Sequence, residues 1–182
     1  MITAAVKGGR MPSLGFKVLS PTNLVDPDPV LSHFVSITPQ GSLNPLTVPQ
    51  LTGELLSPQL NDAVPNEVRA LFEVARGCIC YGSFFYPLFM LGTEQLFRVV
   101  SAAVAARCGS VSPAPPKSFA RRIALLVRNG VIPESDIVRW KALRELRNFA
   151  SHPTTQSLMP PGYAIDRISK CADAINSLFP GA

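Results

Sequence analysis

The sequence has few of the side chains that commonly bind metal ions. It contains only two histidines, His33 and His152, and its four cysteines lie in apolar helical patterns rather than in paired Cys-x-x-Cys spacings. We therefore expect no metal site and no cofactor. The thiols are expected to be buried and reduced, as in cytosolic proteins. The cysteines are Cys78, Cys80, Cys108 and Cys171.

Long apolar stretches are also lacking. The longest, from about Phe84 to Leu91, is short and contains Pro87. The N-terminus lacks the charged, apolar and small-residue blocks of a signal peptide. These absences predict a cytoplasmic protein with no membrane partner.

Acidic residues are outnumbered by basic ones. Seventeen Lys and Arg against twelve Asp and Glu leave a formal net charge of +5. This balance suits a polyanionic partner, although many ordinary soluble proteins share it.

Proline divides the chain into two regions. With 182 residues the chain has the length of one domain that buries a core without disulfides. Nine of its eighteen prolines lie in the first 65 residues, where each removes a backbone donor and disfavours helix. We predict an extended or turn-rich arm over residues 1–64, with short β-prone stretches at Phe16 to Leu19 and His33 to Thr38. This arm is expected to pack over the rest of the chain or to join a partner.

Residues 65–182 follow the helical period and predict an all-α bundle of about five helices. In the first helix the apolar residues fall at the spacings i, i+3, i+4, i+7 and i+11. Ser118 is placed to cap the third helix, and Pro153 disfavours helix at His152, where the fourth should end. The five predicted helices run from about Asn66 to Cys80, Pro87 to Gly109, Ser118 to Asn129, Pro133 to Ala150, and Pro160 to Phe179.

The end of the fourth predicted helix carries an Arg, a polar residue and, four positions later, a His. The segment reads Arg147-Asn148-Phe149-Ala150-Ser151-His152. It resembles the signature of HEPN domains, in which such residues close a helix. A second stretch, from Tyr81 to Leu88 and on through Thr93 to Arg98, is similar to the opening helices of that family. The resemblance covers about residues 65 to 180.

The resemblance implies a small helical domain that dimerises and acts on RNA. Many such domains are metal-independent endoribonucleases of toxin–antitoxin or antiviral systems, and others bind RNA, nucleotides or protein partners without cleaving. Carried onto this chain, it implies Arg147, Asn148 and His152 as catalytic residues. It also implies RNA, a second copy of the chain and an antitoxin or other protein as partners.

The chemistry of these side chains fits RNA cleavage. Attack by the 2′-hydroxyl needs a base, an acid for the leaving 5′-oxygen and a cation at the phosphate. A histidine titrates near neutral pH and serves either proton-transfer role, while guanidinium pairs with two phosphate oxygens. One motif histidine per chain leaves one proton-transfer role unfilled, and a two-fold dimer would supply a second copy.

Simpler interpretations stand beside these. Arg147 fits a solvated helix charge, and His152 fits a helix C-cap. Glu94 and Arg98, four residues apart, fit a surface salt bridge. Two larger sets also have two interpretations each. A cluster of aromatic residues fits either stacking on bases or packing in a core. A group of basic residues fits either phosphate binding or a solvated helix face. The aromatics are Tyr81, Phe84, Phe85 and Tyr86, and the cations are Lys117, Arg121, Arg122 and Arg128.

Overall fold

A computed structural model describes residues 17–37, 40–150 and 159–181 of the chain, and side chains over the same ranges except 144–150. Six α-helices account for most of the described residues. They are α1 (Val48–Leu56), α2 (Asn66–Tyr81), α3 (Leu88–Val111), α4 (Phe119–Arg128), α5 (Ile137–Ala150) and α6 (Pro161–Leu178). The predicted helical bundle is therefore confirmed as a mainly helical fold, and the five predicted helices correspond to α2 through α6.

Local sequence signals explain where the helices begin. Ser118 accepts a hydrogen bond from the backbone N–H of Arg121 and caps α4, as predicted. Helix α2 buries one face at helical spacing, and α6 begins with Pro161, which suits a first turn. The buried residues of α2 are Val68, Phe72, Ala75 and Ile79.

Helix α3 lies at the centre of the core and packs against α2, α4, α5 and α6. Its contact with α2 is the most extensive and requires a glycine. A Cβ added at Gly92 would lie 2.8 Å from the backbone nitrogen of Ile79 and 3.0 Å from the carbonyl oxygen of Ala75. The missing side chain thus sets the close approach of the two helices.

The proline-rich region contains structure that the sequence analysis did not predict. Helix α1 begins at a capping box between Thr47 and Gln50, and Pro49 falls in its first turn, where no N–H is needed. Leu51 and Leu55 of α1 are fully buried in the same core as α2 through α6. The segment around residues 17–64 thus contributes to the core as well as covering it.

The predicted β-prone stretches behave differently from each other. Residues 35–37, within the stretch from His33 to Thr38, form β1 (Val35–Ile37), which pairs antiparallel with β2 (Leu43–Pro45). Residues 17–19 form no strand, and Phe16 lies outside the described residues. Two 3₁₀ turns, Pro29–His33 and Glu134–Asp136, complete the described elements.

Among the described residues, α3 is the one helix whose length and composition would allow it to cross a membrane. Half of its most apolar window is buried inside the structure, and the central helix of a globular protein has the same composition. A single, weakly apolar and half-buried helix gives no clear sign of a membrane protein.

Candidate functional site

The predicted catalytic motif begins in the last turn of α5 (Ile137–Ala150). Arg147 and Asn148 occupy consecutive positions of that turn. Their side chains, and His152 altogether, lie outside the described residues. The helix itself and the faces on which its positions fall are described.

Arg147 and Asn148 fall on different faces of α5. Trp140 is 2% exposed and Leu143 is 8% exposed, so these two residues define the buried face. At about 100° per residue, position 147 falls between them on the helical wheel. Position 148 falls seven residues after Lys141, which is exposed. The first two positions of the motif are therefore about 100° apart around the helix axis.

The second stretch of the resemblance meets the chain just beyond the motif. The hydroxyl of buried Tyr86 donates a 2.6 Å hydrogen bond to the carbonyl oxygen of Met159. Thr93 Oγ1, also buried, lies 3.2 Å from Met159 Sδ. Met159 follows His152 by seven residues and lies two residues before the start of α6 at Pro161. The fold thus joins the α2–α3 connection to the end of the segment that contains His152.

A buried carboxylate holds this connection in place, and the sequence analysis missed it. Asp28 is 1% exposed, and its two carboxylate oxygens accept hydrogen bonds from the backbone N–H groups of Val30, at 3.1 Å, and Tyr86, at 2.9 Å. Its own N–H donates to the carbonyl of Ser83 at 2.9 Å. Asp28 thereby ties the N-terminal region to the turn between α2 and α3. The Asp-Pro pair that opens the 3₁₀ turn was the available sequence signal.

The clustered aromatics divide between the core and the surface. Tyr86 is 2% exposed, with its ring stacked on Phe34 at 6.0 Å and edge-on to Phe89 at 5.2 Å. Burial, reinforced by the nearby Asp28 carboxylate, raises the pKa of Tyr86 well above its usual value. Tyr81 is 65% exposed, so it is the member of the cluster whose ring is open to stack on a base.

Arg98 is exposed on α3 and forms no ion pair with a carboxylate of the described residues. The described ion pairs join Arg69 to Asp62, Arg76 to Glu73 and Lys170 to Asp166. None joins Glu94 to Arg98, so the predicted surface salt bridge does not form in this part of the chain.

The four cysteines are free thiols; Cys108 and Cys171 are buried as expected, whereas Cys78 and Cys80 are only partly buried. Burial raises the pKa of all four and brings that of Cys171 to about 12, which keeps them protonated near neutral pH. Within residues 17–37, 40–150 and 159–181, no three His, Cys, Asp or Glu side chains are grouped so as to hold a metal ion. A cleft of about 310 Å³ lies between Gln59, Leu60 and the start of α2, and α5 contributes no residue to it.

Comparison of the chain with protein-family models, with curated proteins and with solved structures gives no match.

Proposed function

We propose that this chain is a HEPN-like protein that acts on RNA, as a metal-independent endoribonuclease of a toxin–antitoxin or antiviral defence system. It works in the cytoplasm as a homodimer, with an antitoxin or another protein as a regulatory partner. Its catalytic residues are Arg147, Asn148 and His152.

The roles of the three residues follow from their chemistry. The Arg147 guanidinium binds the scissile phosphate and offsets the charge that develops on it. His152 transfers a proton to the leaving 5′-oxygen or from the attacking 2′-hydroxyl, and Asn148 orients the phosphate or the imidazole. The products are a 2′,3′-cyclic phosphate and a free 5′-hydroxyl. In the dimer, the second His152 fills the remaining proton-transfer role.

The observation that carries the proposal is that Arg147 and Asn148 occupy the last turn of α5 (Ile137–Ala150). The resemblance implies a motif whose residues close a helix, and the end of α5 is such a position. A phosphate bound beside the end of this helix would be a partner for the guanidinium of Arg147.

A noncatalytic scaffold that binds RNA, a nucleotide or a protein is the second candidate. The unpaired cations before and along α4 favour it, since they provide for phosphate binding without any acid–base group. In that case the motif positions a ligand or closes the helix.

Cleavage assays with matched histidine variants test the proposal. The purified protein is incubated with structured and unstructured RNAs, with and without EDTA, and the new ends are identified by phosphatase sensitivity and mass. We expect cleavage to survive EDTA, because the sequence places no carboxylate cluster near the motif, and we expect DNA to remain intact because it lacks the nucleophile. His152→Ala should lower the rate by about 100-fold to 10,000-fold. His33→Ala removes the other, exposed histidine and should leave the rate unchanged.

The arginines allow the same comparison. Arg147→Ala should lower the rate about as far as His152→Ala does, whereas Arg139→Ala, on an exposed position of the same helix, should not. Metal-dependent cleavage with 5′-phosphate ends would refute the mechanism. Binding of RNA without cleavage would favour the scaffold instead.

A further inference from the structure

The excess of positive charge lies mainly in one stretch that has no acidic residue. Between positions 95 and 133 there are six Lys and Arg and no Asp or Glu. Residues 17–94 show the reverse balance, with three basic and seven acidic residues. The six basic residues are Arg98, Arg107, Lys117, Arg121, Arg122 and Arg128. The net charge of +5 is therefore localised rather than spread over the molecule.

Helix α4 presents part of this charge on its outer side. Ile123 and Leu126 face the core, while Arg121 and Arg128 are exposed and lie seven positions apart on one side of the helix. Lys117, just before the Ser118 cap, is also exposed. The Arg121 and Arg128 Cα atoms are about 10 Å apart along the helix axis, which spaces the charges along a line.

Two further arginines of the same stretch are held by hydrogen bonds. Arg122 is half-buried and donates from Nε to the carbonyl oxygen of Pro116 at 2.8 Å, which fixes the connection between α3 and α4. Arg107 is half-buried on α3 and donates to Ser110 Oγ at 3.3 Å. Neither bond neutralises the charge, since the acceptors are a carbonyl and a hydroxyl. None of the described ion pairs involves any of the six cations.

The surface chemistry favours a nucleic acid over a membrane. Binding to an anionic bilayer combines cations with apolar side chains that enter the lipid. No large hydrophobic residue is exposed between positions 92 and 137, all of which are described. A row of cations in a stretch that exposes no large apolar side chain suits a polyanion that stays in water.

We infer that the outer face of α4, formed by Lys117, Arg121 and Arg128, is a binding surface for the sugar–phosphate backbone of RNA, separate from the Arg147–His152 motif. The choice of RNA rests on the proposed function. Helix α4 packs directly against α5. A strand bound along α4 would therefore lie beside the helix that carries the motif. Contacts to phosphates alone make this binding independent of base sequence.

Neutralising two arginines tests this surface against a control with the same net charge. Binding of a short, labelled, single-stranded RNA is measured for Arg121→Gln/Arg128→Gln and for Arg69→Gln/Lys170→Gln, whose residues lie on α2 and α6. The 2′-hydroxyls of this RNA are methylated, so that it is not cut by the proposed route and binding is read apart from cleavage. Thermal unfolding of both variants checks that the fold is retained.

We expect the α4 variant to bind about tenfold more weakly at about 150 mM salt and the control to bind like the original chain. The slope of log affinity against log salt should also fall by about 0.7 for each phosphate that the variant no longer neutralises. Equal weakening of both variants, no weakening of either, or no binding of the RNA by the original chain would overturn the inference. Cleavage of unmodified RNA that does not depend on α4 would overturn it and leave the proposed function standing. Binding through α4 without cleavage would support this inference and overturn the proposed nuclease activity.

Discussion

The region before α2 and the region around α4 expose opposite kinds of surface. Seven of the thirteen exposed large hydrophobic residues of the described chain lie between positions 17 and 43, and the region around α4 has none. The seven are Val18, Leu19, Leu24, Val25, Val35, Ile37 and Leu43. Of the three Lys and Asp side chains described in the same stretch, only Asp26 is exposed. The Lys17 ammonium is taken up by the carbonyl oxygens of Asn23 and Asp26, and Asp28 is buried.

The two regions also differ in how their charged side chains are used. Asp28 is buried and holds backbone N–H groups, whereas Arg121 and Arg128 reach into solvent without a partner carboxylate. Lys17 and Asp28 thus serve the fold in the first region, whereas Arg121 and Arg128 extend into solvent in the second. Burial of exposed apolar residues against another apolar surface lowers the free energy. Binding of an anion by exposed cations does the same. The comparison shows that this small fold has an apolar surface in the region before α2 and a basic surface around α4.

The largest expected effect tests whether the N-terminal region belongs to the core. Leu55→Ala in α1 should lower the free energy of unfolding by about 2–5 kcal/mol, because the side chain is fully buried and its removal leaves a cavity. The adjacent Leu56→Ala is the control, since Leu56 is 44% exposed and should cost less than about 1 kcal/mol. Chemical denaturation measures both. Equal costs would mean that α1 does not pack as a core element in solution.

A smaller effect is expected at the buried carboxylate. Asp28→Ala leaves the N–H groups of Val30 and Tyr86 without their acceptor and should cost about 1–3 kcal/mol. Asp26→Ala, two positions earlier and exposed, should change stability by less than about 0.5 kcal/mol. Thermal unfolding of the two variants would contradict the structural role of Asp28 if their midpoints agreed.

The smallest effects are expected on the two exposed surfaces themselves. Ile37→Thr in β1 keeps a β-branched residue at a position that is 72% exposed, and Arg121→Gln removes an unpaired charge on α4. Each should change the free energy of unfolding by less than about 0.5 kcal/mol. A loss above about 1.5 kcal/mol at either position would show that its surface serves stability, and the contrast between the regions would then fail.

The helices from α2 onward could be predicted because their signals are local. The buried face of α2 follows from the helical spacing of Val68, Phe72 and Ile79. The start of α4 follows from the cap at Ser118. Both signals lie within a few residues of the structure that they form. Helix α1 was missed because proline was counted without regard to position. Pro49 lies in a first turn opened by Thr47, where proline is tolerated.

The part of the site that could not be predicted depends on distant contacts. Asp28 meets Tyr86 across 58 residues of sequence, and Tyr86 meets Met159 across 73. No local sequence pattern predicts which carboxylate will be buried or which carbonyl group will accept a hydrogen bond from a tyrosine. The catalytic assignment of Arg147, Asn148 and His152 stays a prediction, since only the helix positions of the first two are described.

Gly92 has a consequence for how this sequence can change over time. Every other amino acid has a Cβ atom, which at position 92 would clash with the backbone of α2. Position 92 therefore admits no conservative replacement. Even Gly92→Ala would force apart α2 and α3, the two helices with the most extensive contact. Variation at neighbouring apolar positions can be absorbed by repacking, whereas a change here must move a whole helix. Among descendants of this chain that keep its fold, this glycine should therefore be one of the last residues to drift.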